Sequence, residues 1–97
     1  MAQVTKGDLD LALKAWEIAR EKALLVNQNW ALFLKSQQAL IRTMRENGWT
    51  YAQAKTDVDA ASNVHSEALQ AAWKEMDDRC RDYMELEAKF VEQQQQP

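Results

Sequence analysis

Two side chains of this chain have the chemistry for catalysis, a single histidine and a single cysteine. His65 has no serine or cysteine at a spacing that would pair with it as nucleophile and base. Its place in a helical repeat of apolar residues predicts a structural role between helices. Cys80 occupies a core position of the same kind of repeat, which predicts a buried and unreactive thiol. We therefore expect no catalytic site and no enzyme activity.

Clustered acidic residues are candidates for metal binding, because carboxylates are metal ligands. Asp57 and Asp59 lack the glycine and the distal glutamate of a calcium-binding loop. Farther along, lysines and arginines alternate with acids at spacings of three and four, which is typical of a solvated helix face. That acidic run consists of Asp77, Asp78, Asp82, Glu85 and Glu87. No glycine motif for phosphate binding exists, so we expect neither a metal nor a cofactor.

Composition limits the fold that can hold these residues. The chain has 97 residues with only two glycines and one proline, and helix-forming residues dominate it. This composition predicts a single all-α domain over residues 1–97. The lone cysteine favours a reducing environment. Because no apolar stretch has the length of a signal-peptide core or a membrane span, we expect a cytoplasmic protein without membrane contact.

Start and stop signals divide the chain into two long helices. Thr5 or Asp8 can cap the first helix, and Asn47-Gly48 can end it. Thr50 and Gln53 form a capping-box sequence for the second helix. The predicted architecture is therefore a long antiparallel helical hairpin, with helix 1 over about 8–46, a turn at 47–49, helix 2 over about 50–92 and a frayed tail at 93–97.

The first helix has apolar residues on more than one side. A spacing that alternates between three and four residues defines its core-facing seam: Trp16, Ala19, Ala23, Val26, Trp30, Phe33, Gln37, Leu40 and Met44. A second line, here called the outer line, repeats every seventh residue and consists of Leu11, Ile18, Leu25, Leu32 and Ala39. The apolar arc spans roughly 200°, well beyond the ~100° of a simple surface helix. We therefore expect further helical neighbours, as in a homodimeric four-helix bundle or a complex with a larger protein.

The seam of the second helix changes register near its middle. It begins as Tyr51, Ala54, Val58, Ala61 and His65, and it continues as Leu69, Trp73, Met76, Cys80 and Tyr83. The change follows residues of low helix propensity around Ser62-Asn63. Two interpretations remain open: the helix continues through a stutter or kink, or it breaks near Ser62-Asn63. We favour the continuous or kinked helix.

Antiparallel pairing across the turn places residues level with each other when their numbers sum to roughly 96. Trp16 would then face Cys80, and Trp30 would lie near His65. Large side chains would thus meet small or flat ones, as close packing requires.

Charge is distributed unevenly along the chain. Residues 1–48 contain seven Lys and Arg against five Asp and Glu, whereas the remainder contains five against ten. The net charge of −3 argues against a protein whose main task is to neutralise phosphates. Arg42 and Arg45 lie toward the turn with Trp49 and Tyr51, and cations beside aromatics are typical of single-stranded nucleic-acid platforms. Because the helix dipole and capping also account for these residues, nucleic acid is the alternative partner and not the expected one.

One C-terminal motif and the hairpin architecture together resemble a known family. Tyr83-x-x-x-Glu87 looks like the Tyr-x-x-x-Asp/Glu signal of the Trp-x-Gly helical hairpins of type VII secretion, which are similar in length. The resemblance implies a helical hairpin. This chain departs from the family pattern at the turn, where Gly48 precedes Trp49 and no glycine follows. No functional residues are carried over.

These patterns predict a non-catalytic protein-binding module, a small adaptor or inhibitor that docks a helical face on a larger protein and also forms a homodimer. Small, plain helical proteins are frequent among phage and mobile-element accessory factors. The expected contact residues are Leu11, Ile18 and Leu25 on the outer line and Trp49, Tyr51, Arg42 and Arg45 near the turn. The alternatives are a nucleic-acid-associated regulatory protein that uses the basic turn end, and a structural homo-oligomeric helical subunit.

Overall fold

The protein is an all-α helical hairpin. The computed structural model describes residues 3–95 and contains two helices, α1 over Lys6–Glu46 and α2 over Tyr51–Gln95, with no strand in that range. The helices have 41 and 45 residues. The all-α fold class and the helical hairpin predicted from the sequence are confirmed.

A capping box explains where α1 begins. The Thr5 backbone N–H donates to Asp8 Oδ2 over 2.9 Å, and the Asp8 N–H donates to Thr5 Oγ1 over 3.1 Å. Each side chain thus satisfies a backbone donor that the first helical turn leaves free. Thr5 is therefore the cap, and α1 starts at Lys6, two residues before the predicted start near Asp8.

The turn between the helices follows the predicted glycine signal. The Trp49 N–H donates to Met44 O over 3.1 Å, and the Gly48 N–H donates to Arg45 O over 3.1 Å, which is the Schellman pattern of helix termination. Gly48 has a φ of 94°, in the left-handed region where a side chain is strained. Thr50 and Gln53 then form the predicted capping box, with hydrogen bonds of 3.0 and 3.2 Å.

The C-terminal end of α2 differs from the sequence prediction. The predicted frayed tail at 93–97 is wrong for residues 93–95, which belong to the helix, while 96 and 97 lie outside the described residues. A clasp formed by Gln93 accounts for the difference. Its side chain accepts from the Val4 N–H over 2.9 Å and donates to Val4 O over 3.0 Å, so the last helical turn is tied to the segment before α1.

The second helix runs without a break through Ser62-Asn63. This outcome confirms the continuous interpretation over the broken one. The inward side chains follow the order Ala54, Val58, Ala61, His65, Leu69, Ala72 and Met76. Two successive steps of four residues occur around His65, which is a stutter and accounts for the register change within an unbroken helix.

The chain divides into two compact units, which we describe separately. The free-end unit comprises Met1–Ala23 and Ala72–Pro97, and the turn-end unit comprises Leu24–Ala71. Each unit contains one segment of α1 and one segment of α2. The expectation of a single domain over 1–97 stays a prediction.

Among the apolar residues that the structure describes in the free-end unit, the buried ones are all alanines. Ala19, Ala23 and Ala72 fill these positions. The Trp16 and Tyr83 rings stack with centroids 6.3 Å apart. The predicted pairing of Trp16 with Cys80 is therefore displaced by three residues along α2. Trp73, predicted in the seam, is 49% exposed, and Ala72 takes the inward position instead.

The turn-end unit contains larger buried side chains. Ile41, Ala54 and Val58 form a buried cluster against which Phe33 and Met44 pack. Farther from the turn, the His65 ring lies 4.6 Å from Phe33 and 6.4 Å from Trp30, measured between ring centroids. The predicted proximity of Trp30 and His65 is confirmed. Tyr51, which the sequence placed at the start of the seam, is exposed.

Candidate partner-binding surfaces

The outer line of α1 is exposed to solvent in both units. In the free-end unit Leu11 is 72% and Ile18 58% exposed, and in the turn-end unit Leu25 is 58% and Leu32 63% exposed. Within each unit the two residues are seven positions apart, which is almost two full helical turns, so their side chains leave α1 in nearly one direction. That direction differs from the seam, where Ala19 and Ala23 are buried. The outer line is therefore an apolar face to which α2 contributes little cover.

A groove borders the outer line in the free-end unit. It has a volume of about 610 Å³, and its apolar lining comes from Leu11, Ala12 and Ala15 of α1 and Leu86 of α2. Charged side chains form the remaining lining: Asp8, Arg79, Asp82, Glu85 and Lys89. An apolar floor between rims of both charge signs suits an amphipathic helix better than a small polar ligand.

Arg79 is the most constrained charged side chain in this groove. Its Nη2 lies 3.1 Å from Asp82 Oδ2, and its Nε lies 3.9 Å from Glu75 Oε1. The Nε atom is buried and has no hydrogen-bond acceptor. The Arg79–Asp82 pair therefore fixes the charge pattern of the α2 wall of the groove, while Glu75 is too distant for a hydrogen bond to Nε.

Ion pairs within α2 involve two of the five acids of the predicted acidic run, Asp78 and Asp82. Asp78 accepts from Lys74 Nζ at 2.8 Å and from Arg81 Nη2 at 2.9 Å. The hydrogen bond from Lys74 is the main cause that lowers the pKa of Asp78, and Arg81 adds to it. Asp78 and Asp82 thus contact neighbouring cations of the same helix, at the spacings of three and four that the sequence predicted. Among residues 3–95, no three His, Cys, Asp or Glu side chains converge as a metal-binding group would.

The Tyr83 hydroxyl donates to Glu87 Oε2 over 2.8 Å. This hydrogen bond raises the pKa of Tyr83, because a nearby carboxylate favours the protonated phenol. The ring of Tyr83 stacks on Trp16. The residues that resemble a secretion signal therefore also bridge α1 and α2 within the free-end unit.

The predicted contact residues near the turn occupy two separate grooves. Arg42, Arg45 and Tyr51 line one groove of about 450 Å³. Gln38, Ile41 and Glu46 complete its lining, so an acid accompanies the two arginines. Trp49 borders another groove with Ala52, Gln53, Thr56, Asp57 and Ala60. The structure thus brings Arg42, Arg45 and Tyr51 together but places Trp49 in a differently lined groove.

His65 and Cys80 lie beside side chains of little reactivity. His65 is half-buried against the Trp30 and Phe33 rings. Cys80 is half-buried, with its Sγ 4.0 Å from the Met84 sulfur. The prediction of a buried Cys80 is therefore only partly met. Among these neighbours, His65 has no nucleophile that it could activate, and Cys80 has no general base that could deprotonate it.

Sequence reasoning missed several exposed apolar residues and the groove itself. Leu24, Val64 and Met84 are exposed but belong to no repeated line, so periodicity gave no signal for them. The groove combines Ala15 with Leu86, which are 71 positions apart in the chain. Only the register between helices can bring such residues together, and the sequence had misplaced that register by about three residues at Trp16.

No match to this chain is found among known protein families, characterised proteins or solved structures. Among the described residues, no helix is both long and apolar enough to cross a membrane.

Proposed function

We propose that this protein is a non-catalytic protein-binding module that docks the outer line of α1 on an apolar surface of a larger protein. In this role it acts as a small adaptor or inhibitor, by clamping or covering a surface of its partner. Homodimerisation accompanies partner binding and supplies further apolar contact.

The exposure of the outer line is the observation that carries this proposal. Its four aliphatic side chains are each more than half exposed. Burying a side chain of this size contributes about 1.5–3 kcal/mol, so leaving four of them in water is a large free-energy cost that a docked partner removes. A spacing of seven residues also matches the contact repeat of one helix against another.

The buried core supports the same conclusion. Among residues 3–95, thirteen large hydrophobic residues are exposed, whereas only seven hydrophobic residues are buried, and four of those seven are alanines. A hairpin with so small a core gains stability whenever a second surface covers its apolar faces. An interaction protein is therefore a better account of this surface than an enzyme, which needs an enclosed site with positioned reactive groups.

The outer line can be tested with a matched pair of variants. Leu25→Glu introduces a charge at an exposed position of the line, and Gln28→Glu introduces the same charge at an exposed polar position one turn away. Tagged wild type and both variants would be used for affinity capture in the native host, with bound proteins identified by mass spectrometry. Circular dichroism would confirm that both variants fold.

We expect a captured partner to bind wild type and Gln28→Glu and to be lost with Leu25→Glu. Equal capture by all three chains would contradict the proposal. Capture that survives Leu25→Glu but falls steeply with salt and with Arg42→Ala would support the nucleic-acid alternative instead. A homo-oligomer without any other bound protein would support the structural-subunit alternative.

A further inference from the structure

The free-end groove has the geometry of a surface that complements itself. Asp8, Ala15 and Lys22 lie on α1 at intervals of seven residues, so they share one side of the helix. Asp8 and Ala15 line the groove directly. An acid, a small residue and a base therefore follow one another along this side, with the small residue in the middle.

Contacts inside the free-end unit define which residues of α1 and α2 are level. Trp16 stacks on Tyr83, and Val4 is hydrogen-bonded to Gln93. The numbers of level residues thus sum to about 98 in this unit, for an antiparallel pair of helices. Asp82 is then level with Trp16, and Lys89 is level with Leu9.

We propose that the free ends of two copies of this chain pair antiparallel about a two-fold axis at Ala15, each α1 lying in the groove of the other copy. The inference rests on the proposed function, since it takes the outer line as a contact surface: a second copy covers the free-end part with Leu11 and Ile18, and the larger protein docks on the turn-end part with Leu25 and Leu32. It goes further by naming the occupant of the free-end groove and the residues that meet there.

Ala15 suits the axis because a two-fold axis brings identical residues together, and a small side chain lets two helices approach closely. Asp8 and Lys22 lie seven residues to either side of it. Antiparallel pairing therefore sets Asp8 of one copy opposite Lys22 of the other, and symmetry repeats the pair. Parallel pairing would set Asp8 against Asp8 and Lys22 against Lys22, which opposes like charges.

The same register covers the exposed outer line of the free end. Residue 18 of one copy becomes level with residue 12 of the other α1, and hence with residue 86 of the other α2. Ile18, more than half exposed in a single chain, would then contact Leu86 in the groove of the second copy. This contact buries apolar surface on both sides.

Charges flanking the outer line also find opposite partners in this register. Lys14 of one copy becomes level with Asp82 of the other, and Glu21 becomes level with Lys89. Among residues 3–95 of a single chain, neither Glu21 nor Lys89 has an ion-pair partner. Both charges are therefore available for a pair between copies, whereas Asp82 already contacts Arg79.

A charge exchange tests the register. Glu21→Lys and Lys89→Glu would each be compared with wild type and with the double variant by sedimentation equilibrium. Each single variant should weaken the dimer by about tenfold, because the exposed pair occurs twice in the symmetric interface. The double variant should return to within about threefold of wild type, since the opposite charges face each other again.

Cysteine cross-linking tests the axis. In a Cys80→Ser background, Ala15→Cys should form a disulfide-linked dimer under mild oxidation, because the two new thiols meet at the axis. Glu17→Cys in the same background is the control, since its thiol is exposed but directed away from the interface. Equal cross-linking rates at both positions, or no recovery in the double charge variant, would overturn the inference.

The test of the two-fold pairing and the test of the proposed function can fail independently of each other. A wild-type chain that sediments as a monomer at all accessible concentrations would overturn the two-fold pairing and leave partner capture through Leu25 intact. A wild-type chain that captures no protein other than a second copy of itself would overturn the proposed function and leave the pairing intact. Leu25 belongs to the turn-end unit and Ala15 to the free-end unit, so the two tests probe different residues.

Discussion

The two units differ in the size of the side chains that they bury. The turn-end unit buries Ile41, Val58 and Leu69, whereas the buried apolar residues within 3–23 and 72–95 of the free-end unit are all alanines. The free-end unit also contains eight basic and eleven acidic residues, while the turn-end unit contains four of each. The full net charge of −3 thus lies in the free-end unit.

This difference indicates which unit gains more stability from contact with another chain. A buried Ile, Val or Leu contributes about 1.5–3 kcal/mol, and a buried alanine contributes much less. The turn-end unit therefore holds its helices together with its own core. The free-end unit relies on aromatic stacking and the Gln93 clasp, and gains most from apolar cover by a second chain.

The largest expected difference between the units lies in the stability lost when one isoleucine of each is shortened to alanine. Ile41→Ala removes a side chain that is 8% exposed, and Ile18→Ala removes one that is 58% exposed. We expect Ile41→Ala to lower the free energy of unfolding by about 2–4 kcal/mol, because it leaves a cavity in the turn-end core. Urea denaturation at low protein concentration measures this loss.

The matched variant Ile18→Ala should change the unfolding free energy of the monomer by less than about 0.5 kcal/mol. Its effect should appear instead as a weaker dimer at high protein concentration. Similar destabilisation of the monomer by both substitutions would show that the two units do not differ as described.

Each unit contains one glycine, and substitution of the two glycines by alanine should change stability in opposite directions. Gly48→Ala should destabilise the protein by about 1–2 kcal/mol, since the left-handed backbone opposes a side chain even though no atom lies within 4 Å of the new Cβ. Gly7→Ala should stabilise it by about 0.5–1 kcal/mol, because Gly7 is helical and its Cβ would meet only Thr5 Oγ1 at 3.6 Å. Thermal unfolding of both variants checks the opposite signs.

The smallest expected effect concerns the acidic face of the free-end unit. Because the folded pKa of Asp78 is lowered from 3.8, the stability that it contributes is present above that value and is lost as pH falls through the folded pKa. Asp78→Asn should therefore be slightly less stable than wild type at neutral pH, and the difference should vanish in strong acid. Asp77→Asn removes the same charge without the Lys74 and Arg81 contacts and serves as control. A difference that persists unchanged to low pH would contradict this origin.

The helix ends could be predicted from the sequence because capping is local. Thr5 with Asp8, Thr50 with Gln53, and Gly48 all act within a few residues, and the structure places both ends of α1 and the start of α2 at these signals. The end of α2 was missed because Gln93 bonds to Val4, 89 positions away in the chain. No local pattern reports such a partner.

The same distinction between local and distant interactions applies to the surfaces. The outer line follows from a single helix and its period, so Leu11, Ile18 and Leu25 were found. The inward choice of Ala72 over Trp73 was missed because hydrophobicity alone favours tryptophan, whereas the helix register directs the smaller side chain inward. The free-end groove was missed for the same reason, since it exists only at the register set by Trp16 and Tyr83.

The clasp between Gln93 and Val4 has a consequence for tolerated variation. The side-chain amide of Gln93 contacts only main-chain atoms of Val4, namely the N–H donor and the C=O acceptor. Any side chain at position 4 is therefore compatible with both bonds, with proline as the exception because it has no N–H. Position 93, in contrast, has to combine a donor and an acceptor on a side chain of glutamine's reach.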